Sequence, residues 1–518
     1  MSLSSQEAGA AAAGAPAPAA GTAPELGQVD VLIIGAGFSG LCVARGLRRR
    51  GFSFRILERA GDVGGTWRDN TYPGCACDIP SPLYSYSFAQ RAGWTRLFAR
   101  QPEILDYLRD FARRRRLLKH IRFDTEVTGA RWDEANSIWE VTTWAGDRHV
   151  ARAVVSAIGA LHLPATPRLP GLDTFAGPTM HSATWDHGLD LRGKRVAVIG
   201  TGASAIQFVP RIVERVEHLT LFQRTPPWIV PKVDALFTGR QRLLRRLAPY
   251  RWYGRARLFW IHESRRKGFT NAAVPGAAEG DGTAGLAAAE RLARSQLRRQ
   301  VPDPQLRAEL TPDYAIGCKR LLISSDYYPA VNRANVTLET AGIREVLPDR
   351  IVSDDGAEHP ADVIIFGTGF DTQHGLAAVP VTGRDGVDLA RRWGSGQEAY
   401  LGTTVSGFPN YFVMMGPNSG LGHNSQIFMI EAQARYAVSC LAAMRRGRVR
   451  SVEVRPEVER EYNAWVHRGL DGSVWQAGGC RSWYQHAKTG RNTLLWPFST
   501  IEFWRRTHRA RLSDYQRG

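Results

Sequence analysis

The chain has 518 residues, 43% of them hydrophobic, and a formal net charge of +18. That length allows roughly three domains of about 150 residues and a large core, and no apolar run reaches the ~18 residues that would mark a membrane-spanning helix. No nucleic-acid-binding motif accompanies the positive charge, so it reads as an arginine-rich composition, with a field that would draw in an anionic cofactor.

Residues 1–27 are rich in Ala, Gly and Pro and nearly free of charge. They read as a disordered tail without the basic start and apolar centre of a signal peptide. An apolar strand follows at residues 29–34 and runs into the GxGxxG turn Gly35, Gly37 and Gly40. Leu41, Ala44 and Leu47 share one face of the next helix, and a second strand ends at Glu58. This strand–turn–helix–strand–acid order is the dinucleotide-binding context. Gly35 permits the turn, Gly37 admits a pyrophosphate, Gly40 lets helix meet strand, and Glu58 accepts from a ribose diol.

Residues 64–78 are turn-rich and form a loop that chain continuity carries back along the dinucleotide. It contains Thr66 and Trp67, candidates for cofactor contact, and ends at Asp78, which could orient a cation. A helix is expected over 101–117, its end exposed at Arg113 to Arg116, and strands over 121–127, 138–144 and 148–155. Pro164, Pro167 and Pro170 then mark a boundary.

A second nucleotide unit opens with a strand at 195–199 and the GxGxxA turn Gly200, Gly202, Ser204 and Ala205, followed by a helix containing Gln207. The position equivalent to Glu58 is the neutral Gln223, followed by Arg224 and Thr225. A neutral residue and an arginine suit a ribose 2′-phosphate, which a carboxylate would repel. The first unit therefore reads as an FAD or NAD site and the second as an NADP site, and together they suggest NADPH reducing a bound FAD.

Residues 233–315 read as a helical insertion with a flexible joint at 276–285. Its amphipathic helices are read as domain surface rather than membrane anchor, although Trp252, Phe259 and Trp260 stand out. Lys319 and Arg320 precede an apolar run, and residues 363–370 form a buried strand that closes a crossing back to the first domain. The glycine-rich loop at 417–424 contains His423, read as structural. Six cysteines, at 42, 75, 77, 318, 440 and 480, form no CxxC pair or zinc spacing. Reduced thiols, no metal and a cytoplasmic location are the expectation.

Two longer patterns carry a resemblance. Residues 175–186 match FxGxxxHxxxW(P/D), and residues 64–78 match (A/G)GxWxxxx(F/Y)P(G/M)xxxD at every position. Together with the two nucleotide turns, they resemble the Baeyer–Villiger monooxygenases from about residue 28 to the C-terminus. Gly367 departs from the alanine usual there.

The resemblance implies an α/β fold of two Rossmann-like domains, the NADP domain inserted in the FAD domain. The FAD domain would comprise residues 28–165 and 356–518, and the NADP domain 166–355. It further implies FAD and NADPH as cofactors and O2 and a small-molecule ketone, or a thioether, as substrates, with an ester or lactone formed through a 4a-peroxyflavin. No nucleic-acid partner is expected. Arg320 is then the catalytic cation and Asp78 the carboxylate that orients it. Lys319, Arg224 and Thr225 contact the 2′-phosphate, and Trp483 belongs to a mobile C-terminal loop at the nicotinamide cofactor. His181 of the fingerprint is read as a hinge residue without acid–base chemistry. N- or S-oxygenation, and a non-catalytic FAD/NADP redox sensor, are the alternatives.

Overall fold

Two sheets organise the chain, a mixed one with antiparallel pairs among its strands and a wholly parallel one, and each holds one strand that runs into a glycine-rich turn. The computed structural model describes residues 25–270 and 283–518, so most of the expected tail, and the 276–285 joint up to residue 282, lie outside the described residues.

The first strands are β1 (Glu25–Ile34), β2 (Phe54–Leu57), β3 (Ile121–Arg122), β4 (Val127–Asp133), β5 (Ile138–Thr143) and β6 (Arg148–Ser156). Among them lie α1 (Phe38–Arg49), α2 (Thr66–Asp69) and α3 (Gln101–Arg114). The strand expected over 121–127 is broken, because Asp124 takes φ +50° and turns the chain before β4. Arg113 to Arg116 are exposed at the end of α3, as their charge requires.

The second group is β7 (Thr179–His181), β8 (Arg195–Ile199), α4 (Ala205–Ile212) and β9 (His218–Phe222). The short strands β10 (Ile229–Val230) and β11 (Leu322–Ile323) pair in parallel across the insertion. That insertion is helical as expected, with α5 (Gly239–Leu244), α6 (Ala248–Ser264), α7 (Arg266–Thr270), α8 (Thr283–Gln300) and α9 (Pro304–Glu309). After β12 (Val336–Glu339) come an antiparallel trio, β13 (Ile343–Leu347), β14 (Arg350–Ser353) and β15 (Glu358–Pro360), then β16 (Val363–Phe366), β17 (Val381–Thr382) and β18 (Tyr411–Val413).

The first sheet runs β17-β4-β5-β6-β1-β2-β3, with β18 added on β6; the second runs β12-β9-β8-β16-β7. β1 pairs in parallel with β2 and β6, so Ile34 lies between Leu57 and Ser156 at the carboxyl edge. Ligands of open α/β sheets sit at that edge. Leu41, Ala44 and Leu47 of α1 are buried, and its Gly46 lies against Val438 of the helix Gln426–Gly447.

One expectation is corrected. β16 pairs with β8 and β7 inside the second sheet, so a boundary at 355/356 would cut that sheet, and the return to the first comes after Phe366. A buried apolar run reads alike in either sheet, which is why the sequence misplaced it.

Candidate active site

At the first turn, Gly35 takes φ +100°, and a Cβ there would lie 2.8 Å from the Ala157 carbonyl oxygen. A Cβ on Gly40 would lie 2.0 Å from the Gly35 carbonyl oxygen. Neither position admits a side chain. Gly37 differs: its Cβ would meet nothing closer than Gly65 Cα at 3.8 Å, so its hydrogen leaves room at the N-terminus of α1, where a pyrophosphate is favoured.

Glu58 is buried at the end of β2. Its Oε2 accepts from the Ala36 amide (2.7 Å), and its Oε1 accepts from the Arg68 guanidinium (2.7 Å) and the Ala60 amide (3.1 Å). The carboxylate is thus fixed on the turn, and an ionised carboxylate has acceptor capacity left for a ribose. The sequence reading had overlooked Arg68, which compensates this buried charge.

A cavity of about 440 Å³ opens beyond the turn, lined by Gly35, Gly37, Glu58, Thr66 and Trp67 on one side and by Arg320, Trp483 and Tyr484 on the other. Trp67 is held by its indole N–H, which donates to the Tyr84 hydroxyl (3.0 Å). Arg320 Nε donates to Asp78 Oδ2 (3.0 Å), and Nη2 donates to the same oxygen. The pair spans 242 residues of sequence. The Asp78 carboxylate raises the Arg320 pKa further above that of an ordinary arginine, against the effect of burial. Burial would push Asp78 upward, but the Arg320 charge and hydrogen bond outweigh it and hold the carboxyl below its usual range. A permanent cation therefore forms part of the cavity wall. Tyr484, fully buried beside it, is pushed up to about 12 by burial and stays a neutral phenol.

The second turn repeats the first. Gly200 takes φ +104°, and a Cβ there would lie 2.7 Å from the Gly367 carbonyl oxygen; at Gly202 the nearest atom would be 3.6 Å away. Ser204 precedes α4 and makes no side-chain cap bond. The Gln207 carboxamide is engaged elsewhere. It accepts from the Tyr72 hydroxyl (3.0 Å) and the Ala76 amide (3.2 Å) and donates to the Ala76 carbonyl (3.1 Å). Its place is therefore a pin between α4 and the 64–78 loop rather than a free ligand group.

Gln223 is buried and donates to the Glu309 carbonyl (2.9 Å), while Arg224 is exposed and Thr225 half-buried. Lys319 lies over the Tyr314 ring at 4.8 Å. Burial first, and the Arg224 charge second, hold its pKa below that of an ordinary lysine. The two cations are thus near enough to disfavour each other.

His181, buried, accepts from the Ala183 amide through Nδ1 (3.1 Å) and packs edge-on against Phe370. Burial lowers its pKa, so it is a neutral packing group near the crossing between the sheets.

The cysteines bring a second correction. Cys42, Cys75, Cys77 and Cys440 are free and buried, but Cys318 and Cys480 form a disulfide across 162 residues. It ties the Lys319–Arg320 segment to the Trp483 loop. No local spacing announces such a pair, and nearness to a site residue does not either, since the free Cys42, Cys75 and Cys77 stand as close to Gly40 and Asp78.

The flavin-binding monooxygenase-like family profile matches residues 28–238. A Baeyer–Villiger monooxygenase of Pseudomonas aeruginosa is 48% identical over 487 residues, covering 94% of this chain and 90% of that protein. A Baeyer–Villiger monooxygenase of Streptomyces coelicolor is 47% identical over 492 residues, covering 94% and 92%. The chain belongs to the Baeyer–Villiger monooxygenase family.

Solved structures agree with this. An oxidized steroid monooxygenase bound to NADP and a closed cyclohexanone monooxygenase each superpose with TM-score 0.82 at 30% identity, covering 95% of this chain and 99% of theirs. As a Baeyer–Villiger monooxygenase the chain is an FAD- and NADPH-dependent oxidoreductase with two Rossmann-like domains, and both glycine turns described above fit those dinucleotides. Among the described residues no helix is long and apolar enough to cross a membrane, and no cluster of three or more His, Cys, Asp or Glu could hold a metal ion.

Proposed function

We propose that the cavity carries out NADPH- and O2-dependent insertion of one oxygen atom beside a ketone carbonyl, giving an ester or lactone, and that Arg320 and Asp78 are the residues this chain contributes to the chemistry. The observation that carries the reading is the Arg320 guanidinium, fixed by Asp78 in the wall that faces the first glycine turn. Gly35, Gly37, Gly40 and Glu58, with Thr66 and Trp67, would hold FAD. Gly200, Gly202, Ser204, Arg224, Thr225 and Lys319 would hold NADPH, Gln207 supporting that site from behind and Trp483 covering it. When bound, FAD supplies the activation of O2 with electrons from NADPH.

Arg320 stabilises negative charge that develops on oxygen in the cavity, because a guanidinium keeps its proton at any working pH. Asp78 holds Nε and Nη2 in place, so the cation needs no rearrangement as charge forms. Arg320 lines the cavity, and its side chain and that of Asp78 are 36% and 27% exposed, so bound cofactors would shield them from water and strengthen that interaction. The cytoplasmic reading loses the support of the cysteines at Cys318 and Cys480. NADPH consumption favours the same compartment, so we place the protein there. The test is to add ketone to the purified yellow enzyme: NADPH use should rise with stoichiometric ester. Ketone-stimulated NADPH use that yielded only peroxide would contradict it.

A further inference from the structure

Helix α6 of the insertion is built inside out. Its inner face carries charge: Arg255, buried, donates to the carbonyls of Pro82 (2.7 Å) and Ser85 (2.8 Å). Glu263, also buried, accepts from the Thr500 amide (2.9 Å), the Thr500 hydroxyl (2.7 Å) and Asn424 (2.9 Å). Its outer face carries Trp252, Tyr253 and Trp260, 54%, 70% and 58% exposed, with Ile261 beside them. At 3.6 residues per turn Tyr253 and Trp260 lie about 20° apart, with Trp252 and Ile261 flanking them at the two edges of the exposed half of the helix. Leu236, Leu243 and Leu247, just upstream, are exposed as well.

Among the described residues, nine of the sixteen exposed large hydrophobic side chains fall within 233–261. Scattered single residues need no explanation, but such a concentration does. The same stretch is strongly cationic. Residues 235–262 contain seven arginines and neither Asp nor Glu, and Arg240, Arg242, Arg246 and Arg257 are exposed.

We propose that this face seats the enzyme on an anionic lipid bilayer, with Trp252, Tyr253, Trp260 and Ile261 in the headgroup region and the exposed arginines on lipid phosphates. Tryptophan and tyrosine favour that depth, and arginine reaches phosphate from it. A second copy of this chain would set arginine against arginine. A single-stranded nucleic acid would use the aromatic rings and arginines but leave Leu243, Leu247 and Ile261 nothing to pack on, so the lipid surface fits better.

The placement has a functional corollary that rests on the ketone reading. Phe259, on the inner side of α6, packs 5.3 Å from Phe428, and Gly420, Leu421 and Gln426 just before it line the cavity. The lipid-facing helix thus abuts the cavity wall, and apolar ketones concentrate in bilayers.

The test is flotation of the holoenzyme with vesicles of phosphatidylcholine alone or with roughly one-third phosphatidylglycerol. The protein should float with the anionic vesicles and release as salt is raised. Arg246→Gln and Arg257→Gln should each weaken binding about fivefold. Trp252→Ser with Trp260→Ser should weaken it about tenfold or more, while FAD content and turnover of a water-soluble ketone stay unchanged. Flotation by neither vesicle, or flotation untouched by the tryptophan variants, would overturn the proposal. So would tighter binding to a single-stranded oligonucleotide than to anionic vesicles, or a dimer in sedimentation that those variants dissociate. Because flotation needs no turnover, its outcome is independent of the ketone assay.

Discussion

The roles proposed for Arg224 and Lys319 would set cofactor choice through single residues. Each should make a charge-assisted contact with the 2′-phosphate, and losing one costs about 1.5–3 kcal/mol. Arg224→Ala should therefore raise the KM for NADPH roughly tenfold or more and leave that for NADH nearly unchanged. Equal losses for both would contradict the assignment. The lowered Lys319 pKa adds a pH signature. Lysine is cationic below its pKa, so affinity for NADPH should fall as pH rises through an alkaline range lying below that of an ordinary lysine. KM measured against pH, with NADH as the flat control, reads this directly. Gly40 gives a third residue-scale outcome. Its Cβ would already lie 2.0 Å from a carbonyl oxygen, so Gly40→Val should purify colourless or misfold, and a fully yellow variant would refute the role.

At the scale of elements, Glu263 fastens α6 to the loop before the helix Gln426–Gly447 and to Thr500. Burial would raise its pKa, but the His423 imidazole 3.4 Å away and hydrogen bonds from Thr500 and Asn424 outweigh that and hold it at about 2, from 4.5. The folded pKa is depressed, so this stability is complete above pH 4.5 and is lost as pH falls toward 2. Its upper bound is about 3 kcal/mol. Glu263→Gln should lower the melting temperature at neutral pH and flatten its dependence across that acid window. The Cys318–Cys480 bond joins two further elements. Reductant should destabilise the wild type by about 2–4 kcal/mol and leave Cys480→Ser unaffected; equal melting with and without reductant would mean the bond holds nothing.

The sequence is legible where a pattern is local and stops being so where a partner is distant in the chain. The path from β1 through the first turn to β2 could be read because period, glycine spacing and the closing acid are local. The break at Asp124 and the membership of β16 depend on a turn conformation and on strand neighbours that no local pattern encodes. Gln207 looked like a cofactor ligand because it stands near a phosphate turn, yet its partners Tyr72 and Ala76 are more than a hundred residues away. Asp78 and Arg320 are farther apart still. Residue chemistry alone left both open, and only the family resemblance joined them.

Over the whole molecule, the 64–78 loop that follows β2 of the first sheet and the 317–323 segment, whose β11 pairs with β10 across the insertion, meet at Asp78 and Arg320. The net charge of +18 would draw anionic cofactors toward the chain, and on the insertion the arginines gather beside exposed aromatic rings. The disulfide holds the Arg320 segment and the Trp483 loop together at the same place, so the cation, that loop and the cavity they line form one unit.

The most direct test of that unit is Arg320→Ala, followed by stopped-flow flavin reduction and reoxidation with product analysis in parallel. FAD binding and reduction by NADPH should survive. Ester formation should fall by two to three orders of magnitude, the equivalent of about 2.7–4 kcal/mol for one lost anion-stabilising group. Arg320→Lys should restore little, since an ammonium lacks the planar fork that Asp78 holds, and Asp78→Ala should show a milder form of the defect. Ester made by Arg320→Ala at near the wild-type rate would contradict the account and send the search to another cation in the cavity.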